Sequence, residues 1–373
     1  MHAVVLFAII HLLTTVAGVM DVEVHMLSFN IRTSLASIDA RSSCGNWDGI
    51  RKTNVVNTIK TVAADFVGTQ ETSDAQKTFL DAQLADIYSV IGENTGHLND
   101  MANEWNAIYY RFDTWKILTN GMFWLGTNPD VMSAGWGMIY YRTCVWGRFQ
   151  HTKTGASICV LNTHYETPGN DAAQIQGSTI ILEHIKTKCD PSDGLIVLMG
   201  DFNALKSYPA MRMLFANDLT DPSDDGTFCG DMLSGTCSTK YDYTMFRAQN
   251  KDACHLESKI SRINYNGCYS SDHAGLVSTF CLQGSCCLKS SSGSRSIYSS
   301  FYENRIADDK DELGTVKGSN FSTVFHRKRT PKVDTEANTS VTMPKSAVES
   351  SSPSSPDPAQ TIYMSSGGVL SLL

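Results

Sequence analysis

The 373-residue sequence contains no apolar run long enough to cross a bilayer, no phosphate-cradling GxGxxG loop, no internal repeat and no zinc-finger spacing among its cysteines. A spanning helix needs roughly 20 consecutive apolar residues. The longest candidate, Val4 to Leu13, falls well short, so stable membrane insertion is not expected. Charge is also scarce, at 18% of residues, and positive charge scarcer still: 30 Lys and Arg stand against 38 Asp and Glu, a formal net charge of −8. That balance excludes a dispersed basic surface that grips nucleic acid nonspecifically. The segment from Leu288 onward is close to neutral, so the acidity belongs to the folded part. A polyanionic substrate would therefore need a metal ion or a local Arg and Lys cluster to offset it.

Hydrophobic residues make up 42% of the chain and aromatics 9%, enough to bury a large core and to exclude a wholly disordered protein. The start of the chain, an apolar run followed by Thr14-Thr15-Val16-Ala17-Gly18, reads as a signal peptide over residues 1–18 despite the lack of Lys or Arg before the run. Eleven cysteines fit an oxidising, secreted environment, and the odd number leaves at least one thiol or an intermolecular bridge. Cys229 and Cys237 flank a short flexible loop and form one local pairing candidate; Cys254 with Cys268 is a second. Sequence does not fix the connectivity. From Leu288 to Leu373 the composition becomes Ser-rich with Pro and mixed charge and loses hydrophobic periodicity, which predicts a mostly disordered tail carrying the sequons at Asn320 and Asn338 and the basic run Arg327-Lys328-Arg329.

Between these ends, residues 19–287 alternate short β-rich runs with a few helical stretches. Strands are expected at Val22 to Arg32, Asp65 to Thr69, Ala107 to Arg111, Ser157 to Thr163, Leu195 to Gly200, Tyr241 to Phe246 and Ala274 to Phe280. Helices are expected at Ile50 to Ala63, Gln76 to Leu84, Ala172 to Lys188 and Tyr208 to Phe215, where apolar residues recur at helical spacing. Strands mixed with helices in this way predict an α+β fold in which two packed β-sheets are covered by helices. Trp124, Trp136 and Trp146 are read as core residues, and His97, His151, His184 and His255 have no motif around them.

The informative residues are polar ones that end β-runs. Asn30 closes an apolar strand, Glu71 follows Gly68-Thr69-Gln70, and His164 ends Asn162-Thr163-His164. Asp201 and Asn203 lie in Gly200-Asp201-Phe202-Asn203, Asp242 in Tyr241-Asp242-Tyr243, and Asp272 and His273 in Ser271-Asp272-His273. Rigid strands converging at one edge of a sandwich would bring these side chains together. Carboxylates with amide oxygens and water make a hard oxygen site suited to Mg²⁺ or Mn²⁺ rather than to zinc. Histidines beside such a site serve proton transfer and phosphoryl contacts, a set suited to in-line attack of water on phosphorus.

In five ordered blocks, Ser28-Phe29-Asn30, Gly68-Thr69-Gln70-Glu71-Thr72, Asn162-Thr163-His164, Gly200-Asp201-Phe202-Asn203 and Ser271-Asp272-His273, the sequence resembles the endonuclease/exonuclease/phosphatase superfamily of metal-dependent phosphoesterases. A sixth block, Glu104 to Tyr110, resembles the strand whose Glu supports the catalytic His. The resemblance spans residues 22 to about 282 and implies a four-layered α/β sandwich. It implies Glu71 as the central metal ligand, helped by Asn30 and Asp272. It also implies Asp201 orienting or deprotonating the attacking water, Asn203 holding a phosphoryl oxygen, and His164 and His273 contacting phosphate and shuttling protons. Glu104 and Asp242 would pair with His164 and His273 respectively.

The block around Asp242 departs from the usual Ile-Asp-Tyr type of run, Ala274-Gly275 replaces the usual aromatic and Pro, and Leu205 stands where inositol phosphatases carry an Arg. The wording is nearest the secreted and deadenylase-like branches. The expectation is thus a secreted Mg²⁺-dependent phosphoesterase acting on a phosphodiester, with nucleic acid as the first substrate class. A phospholipid phosphodiesterase, a phosphomonoesterase and an idle secreted binding protein are the alternatives. The idle scaffold fits poorly, because clustered carboxylates repel one another unless a cation relieves them.

Overall fold

The computed structural model describes residues 20–35, 44–99 and 101–291. The expected signal segment and nearly all of the expected tail lie outside the described residues. Among the described residues eleven strands form two sheets. The first is six-stranded in the order β10-β11-β1-β2-β4-β3, and the second five-stranded in the order β5-β6-β7-β8-β9. In chain order the first sheet comprises β1 (Val22–Asn30), β2 (Phe66–Gln70), β3 (Tyr88–Ile91), β4 (Ile108–Arg111), β10 (Cys254–Ser261) and β11 (Gly275–Gln283). The second comprises β5 (Trp115–Trp124), β6 (Thr143–His151), β7 (Ser157–His164), β8 (Leu195–Asp201) and β9 (Asp242–Ala248). Helices α1 (Lys52–Val62) and α2 (Asp74–Leu84) cover the first sheet, and α3 (Asp171–Lys188) and α4 (Pro209–Phe215) the second. A short α5 (Cys286–Ser291) follows β11 and takes in the first four residues of the expected tail.

The four layers follow from side-chain alternation. Val24 and Met26 of β1 face Val197 and Met199 of β8 in the core between the sheets, while Leu27 and Phe29 face Val55, Ile59 and Leu80 of the helical layer. In β8 the same alternation sends Ile196 and Leu198 toward Ile181 and Ile185 of α3. A strand buried on both faces reads as a continuous apolar run, which is why β8 is plain in the sequence, while β1 is plain from its alternating Val22, Val24 and Met26 followed by Leu27 and Phe29. The missed strands β3, β5 and β10 are shorter or half-exposed, with mixed polarity: β5 carries Lys116, Thr119 and Asn120. The ninth residue of β6 is a histidine and its centre holds Gly147 and Arg148, which hid it.

Each sheet contains one parallel pair joined by a helix. β1 runs parallel to β2 with Asn30 opposite Gln70, and β7 runs parallel to β8 with His164 opposite Asp201. The carboxyl ends of four strands therefore open on one edge of the sandwich. Asn162 ties the sheets together just beneath that edge: its Nδ2 donates to Thr69 O and Ala107 O, both at 3.0 Å, and its Oδ1 accepts from Gln70 Nε2 at 2.7 Å. Only glycine fits opposite it, since a Cβ on Gly68 would lie 2.7 Å from Asn162 Oδ1.

Five disulfides are present: Cys44–Cys268, Cys159–Cys189, Cys229–Cys237, Cys254–Cys287 and Cys281–Cys286. The expected Cys229–Cys237 pair forms. The expected Cys254–Cys268 pair does not, because β10 carries Cys254 to the far end of the sheet beside Cys287, whereas Cys268 lies in the loop before β11 next to Cys44. The odd thiol is Cys144, buried in β6. Trp146 is in the core as expected; Trp136 is 36% exposed, on the loop between β5 and β6.

Candidate active site

Each strand that ends at the open edge delivers one polar side chain. Asn30 ends β1, Glu71 follows β2, His164 ends β7 and Asp201 ends β8, while Asp242 begins β9 directly opposite Asp201. Asp272 and His273 sit just ahead of β11. Three of the neighbouring residues, Arg32, Glu71 and Asn203, adopt left-handed backbone at φ 58°, 58° and 48°. Such conformations are costly for residues with a Cβ and concentrate where a side chain must be re-aimed. Here each turns the chain immediately past a strand end.

The nine residues singled out from the sequence form one linked, buried network. Asn30 Nδ2 donates to Glu71 Oε1 and to Asp201 Oδ2, both at 2.9 Å, and Asn30 Oδ1 accepts from the Arg32 amide. Glu71 Oε2 accepts from the Thr33 amide at 3.0 Å. Asp201 Oδ1 accepts from the Asn203 amide at 2.9 Å. His164 Nδ1 lies 2.8 Å from Glu104 Oε2, and His273 Nδ1 lies 2.8 Å from Asp242 Oδ2. The Nε2 atoms of both imidazoles point at the same Asp201 oxygen, from 3.7 and 3.8 Å. Asp272 forms an ion pair with Arg32 Nη1.

The electrostatics follow from these contacts. Burial pushes the Asp201 carboxyl up, but the charges of His273 and His164 and the bonds from Asn30 and the Asn203 amide outweigh it, so Asp201 is held below its ordinary value. Burial likewise opposes ionisation of Glu104, and His164 and Arg142 reverse it, bringing Glu104 down to about 2. Burial lowers His273, whereas Asp242, Asp201 and Asp272 raise it to a net value of about 10, so this pair keeps its proton on the imidazole. His164 is also raised overall, by Glu104 and Asp201 against burial and Arg142. Asn203 Nδ2 donates to Tyr165 O at 3.2 Å and lies 3.1 Å from His164 Nε2.

Glu71, Asp201 and His273 offer ligand atoms all within 4.8 Å of one another. The two buried carboxylates suit a hard divalent cation, and Asn30 Nδ2 already contacts both of them, while His273, protonated as above, lends positive charge beside the ion rather than a ligand atom. The donor set fits such an ion.

Several residues with no sequence signal complete the site. Arg142 Nη1 donates to Glu104 Oε1 at 3.0 Å, lies 2.9 Å from His164 Nδ1, and is covered by the Tyr140 ring. Arg51 donates to Ile31 O and Arg32 O and so clamps the turn that carries Arg32. Glu166 accepts from the Ile139 and Tyr140 amides. Nothing in the flanking residues assigns these three a place at the site.

A family model described as the endonuclease/exonuclease/phosphatase family matches residues 27–273, and the chain belongs to that family. It is a metal-dependent phosphoric ester hydrolase by that membership. No curated protein matches the chain by sequence. Among solved structures it is similar to an endonuclease/exonuclease/phosphatase from Bacteroides vulgatus, at 25% identity and TM-score 0.60, covering 69% of this chain and 98% of the other. It also shares its fold with a mannosyl-6-phosphatase of Bacteroides thetaiotaomicron, at 23% identity and TM-score 0.60 over 69% and 99% of the two chains. The D. rerio TDP2 complexed with a single-strand DNA product shares the fold as well, at 16% identity and TM-score 0.52 over 69% and 98%.

Proposed function

We propose that this chain is a secreted phosphodiesterase of nucleic acid that uses Mg²⁺ or Mn²⁺ and transfers the phosphoryl group directly to water. The observation that carries the reading is the convergence of Glu71, Asp201 and His273 within 4.8 Å, flanked by a second histidine and an amide on the same buried edge. A cation held there, with Glu71 as central ligand and Asn30 beside it, would polarise a phosphoryl oxygen and offset the charge that develops on it.

The chain's own residues then divide the remaining work. Asp201, kept ionised by two histidines, accepts a proton from the attacking water. Asn203 donates to a phosphoryl oxygen. His273, protonated through Asp242, supplies positive charge and a proton at Nε2. His164 is oriented by Glu104 and Arg142, and its Nε2 faces the same space. Asp272 acts through Arg32, which it holds at the site.

Arg32 and Arg142 bring positive charge to this one edge of an otherwise acidic molecule, as a polyanionic substrate requires. Five disulfides support an oxidising compartment, with residues 1–18 as the signal segment, 19–287 as the catalytic domain and 288–373 as an appended tail. Among the described residues no helix is long and apolar enough to cross a membrane.

The test is a substrate panel with purified protein and Mg²⁺, comprising single- and double-stranded DNA, RNA, sphingomyelin, an inositol phosphate and a sugar 6-phosphate. Cleavage of an oligonucleotide at the highest kcat/KM is expected. A preference for sphingomyelin or for a phosphomonoester would replace the nucleic acid reading.

A further inference from the structure

One wall of the site is built from aromatic rings that the hydrolytic chemistry does not use. The Phe228 ring lies 4.9 Å from the His273 imidazole at a 54° tilt, and the Tyr241 ring stacks on Phe228 at 5.5 Å and 30°. Both rings are only partly buried, so the pair runs outward from the catalytic histidine. The Tyr241 hydroxyl feels the charges of Tyr208 and Asp201, which with burial raise its pKa, so it too stands within electrostatic range of the reacting centre.

The pair hangs on the same backbone as the catalytic residues. Thr227 Oγ1 accepts from the Tyr241 amide at 3.1 Å and from the Asp242 amide at 2.9 Å. Phe228 is bridged to both Thr239 and His273, and the next residue, Cys229, donates its amide to Asp272 O at 2.8 Å and closes a disulfide with Cys237. Arg262 adds a further clamp, donating to Ser271 O and His273 O on one side and to Asp231 O and Ser234 O on the other. The rings are thus fixed before any substrate arrives, and stacking on fixed rings costs little ordering entropy.

We propose that Phe228 and Tyr241 form a stacking platform for the nucleobase next to the scissile phosphate. The inference rests on the nucleic acid reading above and adds a subsite to it. In a nucleotide the base is separated from its phosphate by a single sugar, and the platform begins one ring contact from the imidazole that faces the phosphate. Every base presents a π-face, so the platform selects for a base without selecting which base.

Two polymers of equal length and charge make the test: single-stranded oligothymidylate and a chain of abasic tetrahydrofuran residues on the same phosphodiester backbone. Kinetics are measured for the wild type and for Tyr241→Leu, Phe228→Leu and Tyr241→Phe, with thermal melts to show that each variant is folded. Loss of one stacked ring should raise KM for oligothymidylate about tenfold or more while changing kcat little. Tyr241→Phe should behave as wild type. The abasic polymer should already show the raised KM with the wild type, and neither Leu variant should raise it further.

Equal losses on both polymers would mean that the rings merely support His273, and unchanged kinetics on both would mean that no base rests there; either overturns the platform alone. A wild type that cuts neither polymer but hydrolyses sphingomyelin or a sugar phosphate would overturn the nucleic acid reading and the platform with it.

Discussion

Asp201 is the residue on which the site turns: both imidazoles, Asn30 and the Asn203 amide converge on its two oxygens. Its position depends on Gly200, whose φ is 150° and where a Cβ would meet Thr163 O at 2.1 Å. Gly200→Ala should therefore destabilise the fold by about 2 kcal/mol or more, read from denaturant unfolding, because the backbone carbonyl cannot move without displacing His164. The histidines test the chemistry itself. His164→Ala and His273→Ala should each lower kcat by roughly 10² or more, the usual scale of a lost acid or base, when assayed well below the Tm, which should itself fall because each change leaves a buried carboxylate unpaired. Their carboxylate partners act through them, so Glu104→Gln and Asp242→Asn should cost less. Wild-type rates in both histidine variants would remove them from the mechanism.

At the scale of elements, the parallel pairs β1/β2 and β7/β8 place the site, and the other end of the β1/β2 pair holds a second polar group, the buried Asp65. Asp65 accepts from the His25 amide at 2.8 Å and from Trp115 Nε1 at 3.2 Å. Burial raises Asp65 to about 6, and burial together with Lys259 lowers His25 to about 3. The signs oppose each other. The raised carboxyl favours the fold at low pH and withdraws that support as pH rises through 6. The lowered imidazole favours the fold above 6.5, and that support is lost as pH falls toward 3. Between pH 4 and 6 the unfolded chain gains a proton at His25 while the folded chain gains one at Asp65, so the two nearly cancel. Asp65→Asn removes the offset. Its stability should fall more steeply on acidification over that window than the wild type's, by up to about 1.4 kcal/mol per pH unit. Parallel slopes for the two proteins would show that Asp65 is ionised throughout.

The same elements show what the sequence reveals and what it hides. β2 and β8 are legible because both faces are buried and nearly every residue up to the terminal polar one is apolar or small, and β1 and β7 because apolar residues dominate the run that leads to Asn30 and His164. The residues they deliver were legible for the same reason: a polar side chain at the end of such a run has no packing role to explain it. Arg142, Arg51 and Phe228 were not, because each reaches the site from a loop or a helix start, where polarity and aromaticity are unremarkable locally and acquire meaning only through contacts distant in the chain. Cys254 and Cys268 are a pairing candidate on proximity in sequence, and the intervening strand β10 separates them.

Over the whole molecule, the Cys44–Cys268 bridge links residues 224 apart and joins the segment before α1 to the loop that leads into Asp272 and His273. Replacing both cysteines by Ser should cost roughly 2 to 5 kcal/mol in the oxidised protein, measured by chemical denaturation. An unchanged stability would mean that packing alone fixes that loop.

The acidity of the molecule and the burial of Glu71 and Asp201 together make a cation the central requirement of the account. The most direct measurement is the hydrolysis rate of the best panel substrate after exhaustive chelation, after return of Mg²⁺ or Mn²⁺, and in Glu71→Gln. The account predicts loss of activity on chelation, recovery on adding either ion, and a Glu71→Gln protein that needs far more ion to reach a much lower rate. Full activity in the chelated wild type would contradict it.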